Sequence, residues 1–167
     1  MKFITIGLVQ TKVTENISAN IAKTIALIGQ AAKRGAKIVA LQELFQTPYF
    51  PQWENKNKDD YAESLSGPTI EIMRETAKKF GVTIIIPFYE KISAKGGPAS
   101  GWKYFNTAVV IDKNGKLAGQ YHKIHIPHDP GFYEKTYFEN GELGYKIFTT
   151  DEVKFAVKTS LAKHKEL

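Results

Sequence analysis

Three residues stand out for what their side chains and surroundings could do. Glu43, in Leu41-Gln42-Glu43-Leu44-Phe45, follows directly on the short apolar run Lys37-Ile38-Val39-Ala40-Leu41. In open α/β sheets, ligands and catalytic groups gather at the carboxyl ends of strands. A carboxylate there can act as a general base when burial raises its pKa; it can equally be a solvated loop acid, and position alone leaves both open. Lys123, in Tyr121-His122-Lys123-Ile124-His125-Ile126-Pro127, lies among apolar and ring side chains. A fixed ammonium in such a place can stabilise a developing oxyanion, although an ordinary surface lysine is the alternative in so lysine-rich a chain. Glu134, in Pro130-Gly131-Phe132-Tyr133-Glu134-Lys135, is an acid in an aromatic-rich loop and says little by itself.

His122, His125 and His128, with Asp129, have the composition of a metal cluster. Pro127 and Pro130 argue against the helix that would bring two of these histidines onto one face. On a strand, residues three apart face opposite sides, so neither a metal nor a cofactor is expected. The aromatic run Pro48-Tyr49-Phe50-Pro51-Gln52-Trp53 either lines a pocket or anchors its loop.

These residues need elements to hold them. Lys2 to Val9 reads as a buried strand, and Lys37 to Leu41 as a second. Between them Ile17, Ile21, Ile25, Ile28 and Ala32 recur at helical spacing, with Gly35 at the cap. Residues 45 to 66 read as a loop with some helical turns. Pro68 opens a further helix, with Ile70, Met73, Ala77 and Phe80 as its apolar stripe and Gly81 at its end. Val82 to Ile86 is a fully buried strand that Pro87 should terminate. After a break at Gly96-Gly97-Pro98, Asn106 to Asp112 and Lys116 to Tyr121 form a hairpin about Lys113-Asn114-Gly115. Strands alternating with helices, then a hairpin, predict an α/β sheet with some antiparallel pairing.

The length of 167 residues fits one domain with a real core. No apolar run approaches the roughly 20 residues that span a bilayer, and the first residues enter a strand-like run with no signal-peptide pattern. The expected compartment is the cytoplasm, with no membrane partner. The 23 Lys and Arg give a net charge of +6, but they are spread along the chain and interrupted by acids, as in Lys56-Asn57-Lys58-Asp59-Asp60. A nucleic-acid surface needs clustered charge, so none is expected. The chain contains no cysteine, which excludes disulfides and cysteine-ligated metal.

Together the motifs resemble a known family. Leu41-Gln42-Glu43-Leu44-Phe45 followed by Pro48-Tyr49-Phe50 resembles the first motif of the nitrilase superfamily of carbon–nitrogen hydrolases. Tyr121-His122-Lys123-Ile124-His125-Ile126-Pro127 resembles the second, and Pro130-Gly131-Phe132-Tyr133-Glu134-Lys135-Thr136-Tyr137-Phe138 resembles the segment that bears a second glutamate. Within the superfamily the combination is most similar to the N-carbamoylputrescine amidohydrolases, with the β-ureidopropionases the nearest rival. The resemblance implies a four-layer α-β-β-α sandwich, present here in part, and homo-oligomers in complete members. It implies a small-molecule carbamoyl amine or amide as substrate, cleaved to amine, carbon dioxide and ammonia in polyamine biosynthesis. Glu43 would shuttle the proton, Lys123 would stabilise the oxyanion, Glu134 would hold Lys123 or the substrate, and a cysteine thiolate would attack.

That cysteine is missing. The resemblance runs through residues 1–157; then Lys158 to Leu167 reads as a tail outside the family pattern, where a Cys-Trp-Asp motif belongs. Ser160 falls in the cysteine's register by ungapped count and reads as coincidence, since an unactivated hydroxyl is a weak nucleophile. The abruptness of the change predicts a shifted reading frame, with the motif encoded downstream. The chain is accordingly expected to lack turnover; the alternatives are a non-catalytic fragment that binds full-length subunits and a product without a role.

Overall fold

The computed structural model describes residues 3–54, 57, 59–95 and 97–158. Ser160 and the rest of the tail lie outside the described residues, as do Lys2, Lys56, Lys58 and Gly96.

β1 (Ile6–Val9), β2 (Ile38–Leu41) and β3 (Thr83–Ser93) run parallel, and β4 (Trp102–Ile111) and β5 (Leu117–His122) continue the sheet antiparallel, in the order β1-β2-β3-β4-β5. The crossovers are α1 (Ile17–Lys33) and α2 (Pro68–Phe80). Asn16 caps α1, its side chain accepting from Ala19 N at 3.0 Å. Pro68 starts α2 and Gly81, left-handed at φ 63°, ends it. α3 (Glu134–Tyr137) is a single turn, and β6 (Ile147–Thr149) pairs with β7 (Lys154–Ala156) as a separate ribbon.

One core lies between the helices and the sheet, built from Ile28, Ile70, Met73 and Ala77 against Val39, Ile84, Ile86 and Val109. On the other face Val110, Tyr121 and Phe148 are buried together, with Ile85 and Phe155 packed on them. A third cluster is aromatic: Phe50, Tyr89, Tyr104, Tyr137 and Phe138 with Leu44. No helix among the described residues is long and apolar enough to cross a membrane.

Four expectations need correction. β3 does not stop at Pro87 but continues to Ser93. β2 pairs with it only as far as Ile85, and the Glu63 backbone takes up the same edge at Tyr89 and Lys91, so Pro87 falls in the gap between them and removes no ladder bond. β4 correspondingly begins at Trp102, not Asn106, to match the longer β3. β1 is not buried: it is an edge strand in which Ile6 and Leu8 are 55% and 81% exposed. In α1 the most buried stripe is Asn20, Thr24 and Ile28, with Ile21 and Ile25 at its flank. Asn20 can occupy it because its Nδ2 donates to the carbonyls of Thr14 (2.6 Å) and Gln46 (2.9 Å).

Candidate active site

Glu43 stands two residues beyond the end of β2, at the carboxyl edge of the parallel strands. The chain turns sharply after it. Leu44, at φ 49°, is the one non-glycine residue with positive φ among those described, and its side chain is buried in the aromatic cluster. Such backbone costs of order 1–3 kcal/mol and persists where its surroundings over-determine it. Here the burial of Leu44 holds the turn that aims Glu43.

Lys123 follows β5 directly. Its backbone N–H donates to Asn106 O and its carbonyl accepts from Gly141 N, both at 2.9 Å. The side chain is 2% exposed. Its ammonium donates to Glu43 Oε1 at 3.1 Å and to Glu134 Oε1 and Oε2 at 2.9 and 2.7 Å. Residues far apart in sequence, 43, 123 and 134, are thus brought around one buried cation.

Glu134 opens α3 and is buried. Burial pushes its carboxyl above the usual carboxylate range; hydrogen bonds from Lys123 and Tyr49 oppose that shift without cancelling it. Tyr49 Oη donates to Glu134 Oε1 at 2.6 Å, and its own phenol is pushed up by burial and then by that carboxylate. Of the two readings given for the aromatic run, the ring contacts support the anchor. Phe50 is an anchor, packed on Tyr61, Tyr89 and Tyr137, while Tyr49 contributes a polar contact to the site.

The histidines do not converge. His122 is buried, stacked on Phe105 with centroids 4.3 Å apart and bonded to Glu90 Oε2 at 3.0 Å, while His125 and His128 are exposed. Glu90 Oε2 also accepts from Thr107 Oγ1 at 2.7 Å. This buried knot ties β3, β4 and β5 together one residue before Lys123. Glu90, Asn106 and Gly141 went unnoticed in the sequence because nothing in their flanking residues marks them; a polar residue inside an otherwise apolar strand was the available signal.

Beside Glu43 is a cavity of about 310 Å³, walled by Leu41, Ile85, Pro87, Ala108 and Val157. The arrangement offers a carboxylate at the edge of an apolar cavity and, behind it, a buried ammonium held by a second carboxylate. Such a set can transfer a proton and stabilise an oxyanion.

The sequence profile of the carbon–nitrogen hydrolases matches residues 5–160. The chain belongs to that family. It is 34% identical to an N-carbamoylputrescine amidase of Solanum lycopersicum over 157 residues, covering 93% of this chain and 50% of the relative. It is 32% identical to a citrullinase of Francisella tularensis subsp. tularensis over 158 residues, covering 94% of this chain and 52% of the relative. Among solved structures, a carbon–nitrogen hydrolase from Helicobacter pylori G27 superposes with a TM-score of 0.77 at 38% identity, over 87% of this chain and 47% of that one. The chain spans about half the length of the relatives it matches.

Proposed function

We propose that the chain carries the proton-shuttling and oxyanion-stabilising groups of a hydrolase for carbamoyl amines of the N-carbamoylputrescine kind, and that these 167 residues alone do not turn over. The observation that carries the reading is the Lys123 ammonium, buried and held between Glu43 and Glu134. The substrate class is supported by the tomato and Francisella relatives, since N-carbamoylputrescine and citrulline both end in a carbamoylated amine.

In this reading a thiol gives its proton to Glu43 and attacks the carbamoyl carbon. Lys123 faces the oxygen as it becomes an oxyanion. Collapse breaks the C–N bond, and ammonia leaves with the proton from Glu43. Glu43 then deprotonates a water, which displaces the thiol, and the released carbamic acid loses carbon dioxide to give the amine. These residues provide no thiol, since the sequence has no cysteine. Losing the nucleophile of a comparable nucleophile–base system costs roughly six orders of magnitude in turnover. Ammonia release from N-carbamoylputrescine by the purified chain should therefore be undetectable beside the tomato amidase. Turnover within a hundredfold of that enzyme would overturn the inactivity.

A second reading, a non-catalytic partner of full-length subunits, is favoured by one observation. Phe3, Ile6 and Leu8 are 87%, 55% and 81% exposed, an apolar surface at the sheet edge suited to another polypeptide. Co-purification with a complete homologue, without turnover of its own, would support it.

A further inference from the structure

Glu43 and Lys123 arrive from opposite sides of the sheet, one after β2 and the other after β5, and a single residue of β4 touches both. Asn106 is fully buried. Its Nδ2 donates to Glu43 Oε1 at 2.7 Å, and its backbone carbonyl accepts the N–H of Lys123 at 2.9 Å. Glu43 Oε1 also receives the Lys123 ammonium, whereas Oε2 receives no hydrogen bond from any described residue. The amide orientation follows from chemistry: with its oxygen turned to Glu43, two acceptors would face each other. Asn106 Oδ1, buried as well, has no partner among the described residues. A buried polar atom left unpaired is costly, so this side chain is not satisfied for the sake of the strand. Its one side-chain hydrogen bond is spent on Glu43.

We propose that Asn106 is the positioning residue of this site: it holds Glu43 by Oε1 and fixes Oε2 as the oxygen that carries the proton. The proton-carrying role rests on the function proposed above; the holding role does not. A glutamate side chain has three rotatable bonds, and a carboxylate held at neither oxygen can swap them or swing toward solvent. With Oε1 doubly engaged, by Asn106 and Lys123, only Oε2 is left to accept. Because the Asn106 carbonyl also anchors the Lys123 backbone, one residue sets the separation of the two groups.

The test uses the 167-residue chain and needs no turnover. Asn106→Leu keeps the size and removes the donor. Asn106→Asp keeps the shape and places a second carboxyl on Glu43, and two carboxyls at that separation cannot both ionise. The other groups that face Glu43, namely Lys123, Glu134, Tyr49 and Lys158, are the same in both variants. As pH falls from 8 to 5, the melting temperature of Asn106→Asp should rise relative to Asn106→Leu by about 3 °C or more. Parallel melting of the two variants over that range would overturn the proposal. If Asn106→Asp does not fold, the Asn106 side-chain amide pair in ¹⁵N spectra of the unaltered chain decides. One of its protons should lie well downfield and lose that shift in Glu43→Leu; an amide pair that Glu43→Leu leaves unmoved would also overturn it. A complete enzyme built on this chain that released no ammonia from N-carbamoylputrescine would sink the proposed function and leave this contact standing.

Discussion

Lys123 is held by charge rather than by water. Its ammonium and the Glu134 carboxylate are 2% and 3% exposed, so each needs the other, and breaking a buried pair by removing one partner costs about 3–5 kcal/mol. Lys123→Met should therefore lower stability to urea at pH 7 by about that much, and adding Glu134→Gln should recover part of the loss. Additive losses in the double variant would show that the pair is not coupled. Glu134 itself makes stability depend on pH in a definite direction. Its folded-state carboxyl is raised above the ordinary value of 4.5 by burial, so the native state binds more protons than the unfolded one just above that pH. Its contribution is complete below the ordinary value and is lost as pH rises through the raised one. Urea melts across this window should fall in the unaltered chain and slope less in Glu134→Gln; an identical slope would mean that Glu134 is not the group responsible.

The site depends at the next scale on elements that meet behind it. The Glu90–His122–Thr107 knot joins three strands, and Gly141 closes the remaining side. The Gly141 backbone lies so close to His122 that an added Cβ would run into the His122 carbonyl carbon and oxygen, which are main-chain atoms and cannot swing away. The Gly141 N–H meanwhile holds the Lys123 carbonyl. Gly141→Ala should thus cost about 1–3 kcal/mol as an overpacking change and weaken protection of the Gly141 amide against hydrogen exchange. Unaltered protection and stability would show that the segment moves aside freely.

For the whole molecule, the two faces of β1 are unequal. Gly7 packs toward Ala31 of α1, which turns Ile6 and Leu8 to the opposite, open face. Exposed apolar surface on an edge strand favours association. The purified chain, 18.7 kDa by sequence, should elute from size exclusion as a larger species, and Leu8→Lys should move it toward the monomer. A monodisperse monomer that binds no hydrophobic dye would show that the first strand needs no cover.

Much of this architecture was legible in the order of residues. Pro68, Gly81 and the 3.6-residue spacing of Ile70, Met73 and Ala77 fix α2 by local geometry, and Asn114-Gly115 fixes the hairpin; such signals act within a few residues. The motifs around Glu43, Lys123 and Glu134 marked these three as candidates for the same reason, because each is a short contiguous stretch. Their meeting was not local. Lys123 joins Glu43 across 80 positions and Glu134 across 11, and only the packed sheet converts those separations into hydrogen bonds. The true length of β3 was hidden because a proline stops a strand only where its N–H is needed, which depends on where β2 ends. Asn106 and Gly141 were hidden because their tasks, holding Glu43 and admitting the backbone of His122, exist only once β4, β5 and the 138–141 segment lie side by side. Sequence set the elements and the reactive groups; tertiary contact decided which carboxylate is held, by what, and which of its oxygens is free.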